Sequence, residues 1–383
     1  MIKRLLLSAI LALPWLAHAD WASDRDGSAG YVEITTVAAN IDEAVPFFVV
    51  YGSRMASGLH AAMDAIGDTT GRSLMASNAD GSTRLSAFVI GVDTASDSFA
   101  MAIRATGMSP STNVTYRIYA GNNSVTIPDA SATYGRNAVF VGYTGVYIPA
   151  MFLVDLTGSA RELAAVGSPG SVASHLETLT AATFGGSADY YLDTGTMGVT
   201  SWPITIEALA YSTSSSAAQT IAAQANSGTG IGANIATLRV RGDNGDVVTF
   251  AADGSSGSTA TASTSTSYST NTWFYATGVH DKNNDETHAY LNGGSKGTSE
   301  TIVAGPSFNQ FAIGVTPSST LTHYWAGRIL VVLISNVVRS DNYTSTMEEM
   351  WDGNIYTDGS WTDLGGGSGP TIADRTRGFF ALN

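Results

Sequence analysis

Ile204-Thr205-Ile206-Glu207-Ala208-Leu209-Ala210-Tyr211 and, far downstream, Ile329-Leu330-Val331-Val332-Leu333-Ile334 are the stretches whose reading decides the fold. In the first, Ile204, Ile206 and Ala208 fall on one side and Thr205 and Glu207 on the other, the period of two that a pleated strand imposes. The second is apolar at every position, so it reads as a central strand covered on both faces. The alternation returns between them. Leu238 and Val240 alternate with Arg239 and Arg241, and Val248 and Phe250 with Val247 and Thr249. Trp273 to Val279, Thr287 to Leu291 and Phe311 to Ile313 continue the series. Strands that follow one another with no helical period between them pair antiparallel and stack as a sandwich.

Upstream, residues 20–150 carry a separate set of short runs: Phe47 to Tyr51, Leu85 to Val92, Phe99 to Arg104 and Thr115 to Tyr119. Turn clusters such as Asn78-Ala79-Asp80-Gly81 and Gly121-Asn122-Asn123 separate them. Ser57 to Ile66, with Leu59, Met63 and Ile66 on one face, predicts a short helix, and Thr346 to Trp351 another. Thr259 to Thr272 is rich in Ser and Thr and reads as a polar connection between strands or a glycan-bearing stalk. Gly365-Gly366-Gly367-Ser368-Gly369-Pro370 reads as a flexible break. The expected division is a signal over 1–19, a smaller N-terminal β-sandwich domain over 20–150, a larger sandwich over 151–356 and a flexible tail over 357–383.

Residues 1–19 have the build of a secretory signal: Lys3 and Arg4, the apolar run Leu5 to Leu13, and Ala17-His18-Ala19 before Asp20. The run is too short for the roughly 20 residues of a membrane-spanning helix. The expectation is a secreted or extracytoplasmic protein, in the periplasm or at the cell surface, with no stable membrane insertion after cleavage. The 383 residues carry a formal net charge of -14, and cleavage removes two basic residues more. That balance repels nucleic acid and anionic membranes. With no cysteine in the chain, thiol chemistry and disulfide stapling are excluded, and burial alone must hold the fold.

The second strand series carries landmarks in a recognisable order. Phe184-Gly185-Gly186-Ser187-Ala188-Asp189-Tyr190-Tyr191 resembles the "F-x-G-x-x-D-Y" opening strand of laminin-G-like, concanavalin A-like lectin/glucanase domains. Thr272-Trp273 with Gly278-Val279-His280-Asp281, then Tyr290-Leu291-Asn292-Gly293, Phe311-Ala312-Ile313-Gly314 and Trp325-Ala326-Gly327-Arg328-Ile329 are similar to the strands that follow in that family. The resemblance implies an all-β fold whose C-terminal part is a concanavalin A-like jelly-roll β-sandwich. Where that family commonly has acidic residues after "G-x-I", this chain has Leu330-Val331-Val332, which puts a polar role there in doubt. Asn40 to Pro46 before Phe47 to Val50, and Tyr116 to Asn122, resemble the opening and close of an uncharacterised β-domain often found before such modules in secreted bacterial and phage proteins.

Little in the sequence carries catalysis. Glucanases of this resemblance place carboxylates as Glu-x-Asp-x-x-Glu on one strand face, at the separations glycoside hydrolysis requires. That spacing is missing here, and Glu207, Asp281 and Asp285 read as solvated surface acids. A catalytic triad built on the histidines is no better supported. His280 and His288 flank a predicted hairpin, where strand packing and metal binding explain them equally well. The resemblance implies Ca²⁺ as cofactor, and Asp281, Asn283 and Asp285 form one oxygen-rich loop suited to it, Asp243-Asn244-Gly245-Asp246 another. Both are also ordinary turns. Arg241-Gly242-Asp243 is read as turn chemistry.

Sugar binding needs ring faces that stack on C–H surfaces beside groups that bind hydroxyls. Trp202, Tyr211 and Tyr268 are the ligand-binding candidates, with Trp361 a further aromatic near a loop. The expected function is non-catalytic binding of carbohydrate or another cell-surface ligand. The alternatives are a glucanase-type glycoside hydrolase and a structural component of a surface layer, appendage or phage particle.

Overall fold

Four antiparallel sheets form the computed structural model, which describes residues 21, 24–148, 154–159, 161–176, 178–193, 202–215, 217–226, 235–242, 245–253, 258–294, 296–297, 308–317 and 321–364. The chain is nearly all β, as its composition of short alternating runs predicts. The segment read as a signal, Asp243 and Asn244, and residues 365–383 lie outside the described residues.

The larger sandwich faces two sheets together. One runs in the order β17 (Ser258–Ser267), β16 (Asp246–Asp253), β15 (Ile235–Val240), β14 (Gln219–Ala225), β20 (Gln310–Ile313), β12 (Tyr190–Asp193), β9 (Leu163–Val166). The other runs β10 (Gly170–Ala173), β11 (Thr180–Gly185), β21 (Ala326–Ser335), β13 (Ile204–Ser212), β18 (Trp273–Asp281), β19 (Glu286–Leu291). Here β8 (Gly145–Tyr147) continues the edge of β21 beyond β11. Ile204, Ile206, Ala208, Leu238, Phe311 and Trp325 meet in the core between the sheets.

The smaller sandwich stacks a sheet ordered β22 (Tyr356–Asp363), β1 (Gly30–Thr36), β7 (Thr115–Ala120), β3 (Met75–Asn78), β4 (Arg84–Leu85) on one ordered β2 (Phe47–Tyr51), β6 (Ser98–Arg104), β5 (Ala87–Asp93). The sheets are accompanied by the α-helices α1 (Ser57–Ala65), the short α2 (Arg136–Val139), and α3 (Asp341–Trp351). The two predicted helices are both present, α3 beginning earlier than expected. Its start is set by Ser340, whose hydroxyl accepts from the Tyr343 amide at 3.0 Å and satisfies one orphan donor of the first turn.

The two sandwiches share a continuous apolar core, and β21 shows how. Ile329, Val332 and Ile334 point into the larger sandwich. Leu330, Val331 and Leu333 point the other way, into the core of the N-terminal sandwich. An irregularity in the pairing of β21 with β13, between Leu209 and Ala210, lets the adjacent Leu330 and Val331 share a side. The expectation of a central strand covered on both faces holds, and its cover is the neighbouring domain. Each of these side chains, at 0% exposure, contributes roughly 2 kcal/mol of burial. Leu330 and Val331, standing where relatives of this resemblance carry acids, are apolar because that face is docked.

Three parts of the expected organisation change. Tyr356–Asp363, all but its first residue placed in the tail, is a strand: Gly30 pairs with Asp363 and Thr36 with Tyr356, so the C-terminal segment completes the N-terminal sheet. Gly145–Tyr147, placed in the N-terminal domain, pairs with Ile334, Leu333 and Val332 of the larger sandwich. The larger sandwich is thus inserted into the smaller one. The Ser/Thr-rich segment is also no simple connection, since Ser258–Ser267 pairs with β16 and buries Ala260, Ala262 and Thr264.

The landmark residues act as scaffold. A Cβ on Gly327, at φ +140°, would stand 2.1 Å from the Tyr211 carbonyl oxygen, so only glycine allows β21 to approach β13 here. Asn292 and Gly293 both take positive φ in the tight turn that ends β19.

Candidate functional site

Register on the docked sheet places the polar side chains. Across β13, β18 and β19, Tyr211 lies beside Trp273 and Leu209 beside Tyr275. Next come Glu207, Thr277 and Tyr290, then Thr205, Val279 and His288, and finally Asp281 with Glu286. Because side chains alternate, all of these share the outer face. Its middle is covered by α3 and the N-terminal sandwich, where Leu209 and Tyr275 join Tyr343, Met347 and Trp351 in one core.

Under that cover Glu207 is fully buried, which corrects its reading as a solvated acid. The Tyr275 hydroxyl donates to its Oε2, and Arg339 Nε lies 4.0 Å from its Oε1. The Arg339 guanidinium lies over the rings of Tyr343 (4.3 Å) and Tyr143 (5.0 Å), whose hydroxyls bond each other. Burial pushes the Glu207 carboxyl up to about 7, against the pull of Arg339 and the two hydroxyls of Tyr275 and Tyr343. This network joins Tyr143 of the N-terminal sandwich to the docked sheet and to α3. With no solvent access, Glu207 cannot reach a glycosidic bond.

Two ends of the face stay open. At the Asp281 end, a polar groove of about 390 Å³ runs past Asp281, Glu286, His288, Lys296 and Asp341. His288 Nε2 lies 2.9 Å from Glu286 Oε2, and the Tyr290 hydroxyl donates to Asp341 at 2.7 Å. The groove offers no ring face, since Tyr290 is 1% exposed. Asp281 is buried, a second correction, and its carboxylate closes its own turn. It accepts from the amides of Asn283 (3.0 Å) and Asn284 (3.4 Å) and from Asn284 Nδ2 (2.7 Å). Asn283 and Asp285 are exposed on the same turn. Among the described residues no three His, Asp or Glu side chains are grouped to hold a metal ion. His280 and His288 do not face each other: His280 pairs with Thr287 and points into the sandwich core, where its Nε2 lies 2.8 Å from Thr249 Oγ1, while His288 is on the outer face.

At the Trp273 end lies a hollow of about 70 Å³, bordered by Trp273, His175, Asn292, Glu348, Trp351 and Asp352. That space holds roughly five waters, about the bulk of one sugar ring. The Trp273 ring is half-buried, with His175 against it at 4.8 Å and Tyr211 at 5.5 Å. Glu348 and Asp352, one turn apart around the end of α3, face the hollow together. Burial and then the charges of Asp352 and Glu349 push Glu348 up to about 7. Asp352 is raised by burial and Glu349, with Arg54 opposing. The mass of protein under His175 disfavours its charged form and lowers it to about 4, so it is neutral near pH 7. Trp351 is 1% exposed, and its Nε1–H has no acceptor among the described residues.

The three aromatic candidates are not brought together. Trp202 packs edge-on against His280 (5.7 Å) and Phe308 (5.4 Å), at the opposite end of β18 from Trp273. Tyr268 is 7% exposed, its ring 4.9 Å from Phe274 and its hydroxyl donating to Ser214 O at 3.0 Å. Tyr211 alone borders the aromatic group at the hollow, with Arg328 4.7 Å over its ring. Sequence reasoning missed Trp273 because the "T-W" landmark reads as scaffold, and Glu348 and Asp352 because helix α3 shows its face only once it is docked. A further cleft, about 130 Å³ between Leu74, Leu85, Phe88 and Tyr134 of the N-terminal sandwich, is mostly apolar.

Residues 184–343 match the family model described as the concanavalin A-like lectin/glucanases superfamily, laminin-G type, which bears out the resemblance read from the landmarks. No curated protein matches the chain. Among solved structures, domain 4 of an extracellular arabinanase from Geobacillus stearothermophilus, in complex with arabinotriose, is similar at 15% identity and TM-score 0.44, over 54% of this chain and 98% of that one. The CBM40 module of a Ruminococcus gnavus sialidase, bound to α2,3-sialyllactose, is similar at 16% identity and TM-score 0.34, over 38% and 82%. A heptameric pentraxin from Limulus polyphemus is similar at 14% and 0.37, over 43% and 80%.

Proposed function

We propose that this protein is an exported, non-catalytic carbohydrate-binding protein, and that its sugar site is the hollow beside Trp273. One observation carries the reading: a partly exposed indole face, extended by His175, borders the same small space as two carboxylates and the Asn292 side chain. Ring faces gain from stacking on sugar C–H groups, while carboxylates and amides bind hydroxyls, so the combination suits a pyranose or furanose. The fold class supports it, as lectins are among the members of the matched superfamily. Export is supported by the signal-like segment over residues 1–19.

The test is a glycan array probed with the folded chain lacking residues 1–19, alongside Trp273→Ala. We expect retained glycans that Trp273→Ala releases, with affinity falling by about tenfold or more, equivalent to about 1.4 kcal/mol. A folded sample that retains no glycan sinks the proposal.

A further inference from the structure

We infer that the hollow selects uncharged sugars, through hydroxyls that donate to its two carboxylates, and rejects acidic glycans; this rests on the reading of the hollow as a sugar site. The argument is one of matching donors and acceptors. Glu348 and Asp352, when ionised, can only accept hydrogen bonds. Both border one space of about 70 Å³. A hydroxyl serves them, since it donates to a carboxylate.

A sugar carboxylate cannot do this. It has no proton to donate and would meet Glu348 and Asp352 as like charges, and none of the residues bordering the hollow is a lysine or arginine. The nearby cations have partners of their own. Arg54 acts on Asp352, donating to its carbonyl at 3.0 Å and opposing the rise of its carboxyl, and Arg328 lies over Tyr211. His175 is neutral near pH 7 and supplies a ring face, not a charge. Two charges a few ångströms apart in a partly desolvated hollow repel far more than they do in water.

The experiment compares matched pairs that differ only at C6, glucose-terminated against glucuronate-terminated and galactose-terminated against galacturonate-terminated glycans. They are presented to the folded chain at pH 8, where both carboxylates are ionised. We expect the neutral member of a pair to bind at least tenfold more tightly, and Asp352→Asn, an exposed and conservative change, to shrink that ratio toward unity. Glu348→Gln should do the same, with a thermal melt confirming that each variant is folded. Equal or tighter binding of the acidic members would overturn the inference and leave the carbohydrate reading standing. Binding that is selective but insensitive to Asp352→Asn and Glu348→Gln would overturn it too, by placing the selectivity elsewhere. No binding of any glycan would overturn the inference together with the reading beneath it.

Discussion

The ring of Trp361 lies so close to Gly58 that a Cβ on the glycine would come within 2.3 Å of the ring's Cγ. The two residues stand near opposite ends of the chain. Trp361 belongs to β22, the strand that completes the N-terminal sheet, and Gly58 to the first turn of α1. The contact therefore ties the C-terminal segment to the N-terminal sandwich.

Gly58→Ala should destabilise the protein even though alanine is the better helix former. The propensity gain is at most about 1 kcal/mol, whereas overpacking costs about 1–3 kcal/mol. Chemical denaturation should show a lower midpoint for Gly58→Ala. In the background of Trp361→Gly, which removes the ring and the Cβ that would itself stand 2.8 Å away, the same glycine change should turn neutral or stabilising. A plain stabilisation by Gly58→Ala alone would contradict the packing described.

Glu207 predicts a stability that falls as pH rises. Its folded carboxyl titrates near 7 and its unfolded one near 4.5, so between these values the folded state holds the extra proton. Below about 4.5 the residue contributes no pH dependence. Above about 7 the full penalty of a buried charge is present, on the order of 3 kcal/mol. Unfolding free energies measured from pH 4.5 to 8 should fall more steeply for the wild type than for Glu207→Gln. Parallel curves would show that Glu207 is already ionised at low pH.

His280 predicts the opposite slope at lower pH. Burial holds its folded pKa at about 3, against about 6.5 unfolded. Its contribution is fully present above about 6.5 and is lost as pH falls toward 3, on the order of 5 kcal/mol in all. Imidazole nitrogen shifts should report a neutral ring at pH 5. His280→Leu should flatten the acid limb, because Thr249 keeps its own bond to Thr237 O at 2.9 Å. A ring that charges near pH 6 would refute the burial argument.

Calcium should do little at the Asp281 turn. To ligate a cation, Asp281 must give up three donors that already satisfy its carboxylate. Millimolar Ca²⁺, compared with chelator, should leave the melting temperature within about 1 °C, which for a domain of this size is a few tenths of a kcal/mol. A rise of several degrees that Asp281→Asn abolishes would establish a metal site there.

Some of these relationships were legible beforehand. Asn292-Gly293 and Gly327 carry their roles locally, because positive φ and close backbone approach demand glycine or asparagine wherever the chain is placed. Glu207 was legible only as facing away from Ile206 and Ala208. Alternation says that two faces differ, not what covers the second one. Tyr356–Asp363, with Asp358, Gly359, Ser360 and Asp363 among its residues, has no apolar period to announce an edge strand. Its place comes from pairing with β1.

What the sequence by itself determined is the all-β class, a series of strands in the larger sandwich, and an apolar β21 that must be covered twice. These follow from periodicity and turn chemistry, which act over a few residues. Only the tertiary structure decided that the second cover is the N-terminal sandwich, that the chain's last described strand closes its first sheet, and that Trp273, Glu348, Trp351 and Asp352 border one hollow. The reason is physical: contacts between segments far apart in the chain depend on which apolar faces find each other in the folded protein, and no local pattern encodes that choice.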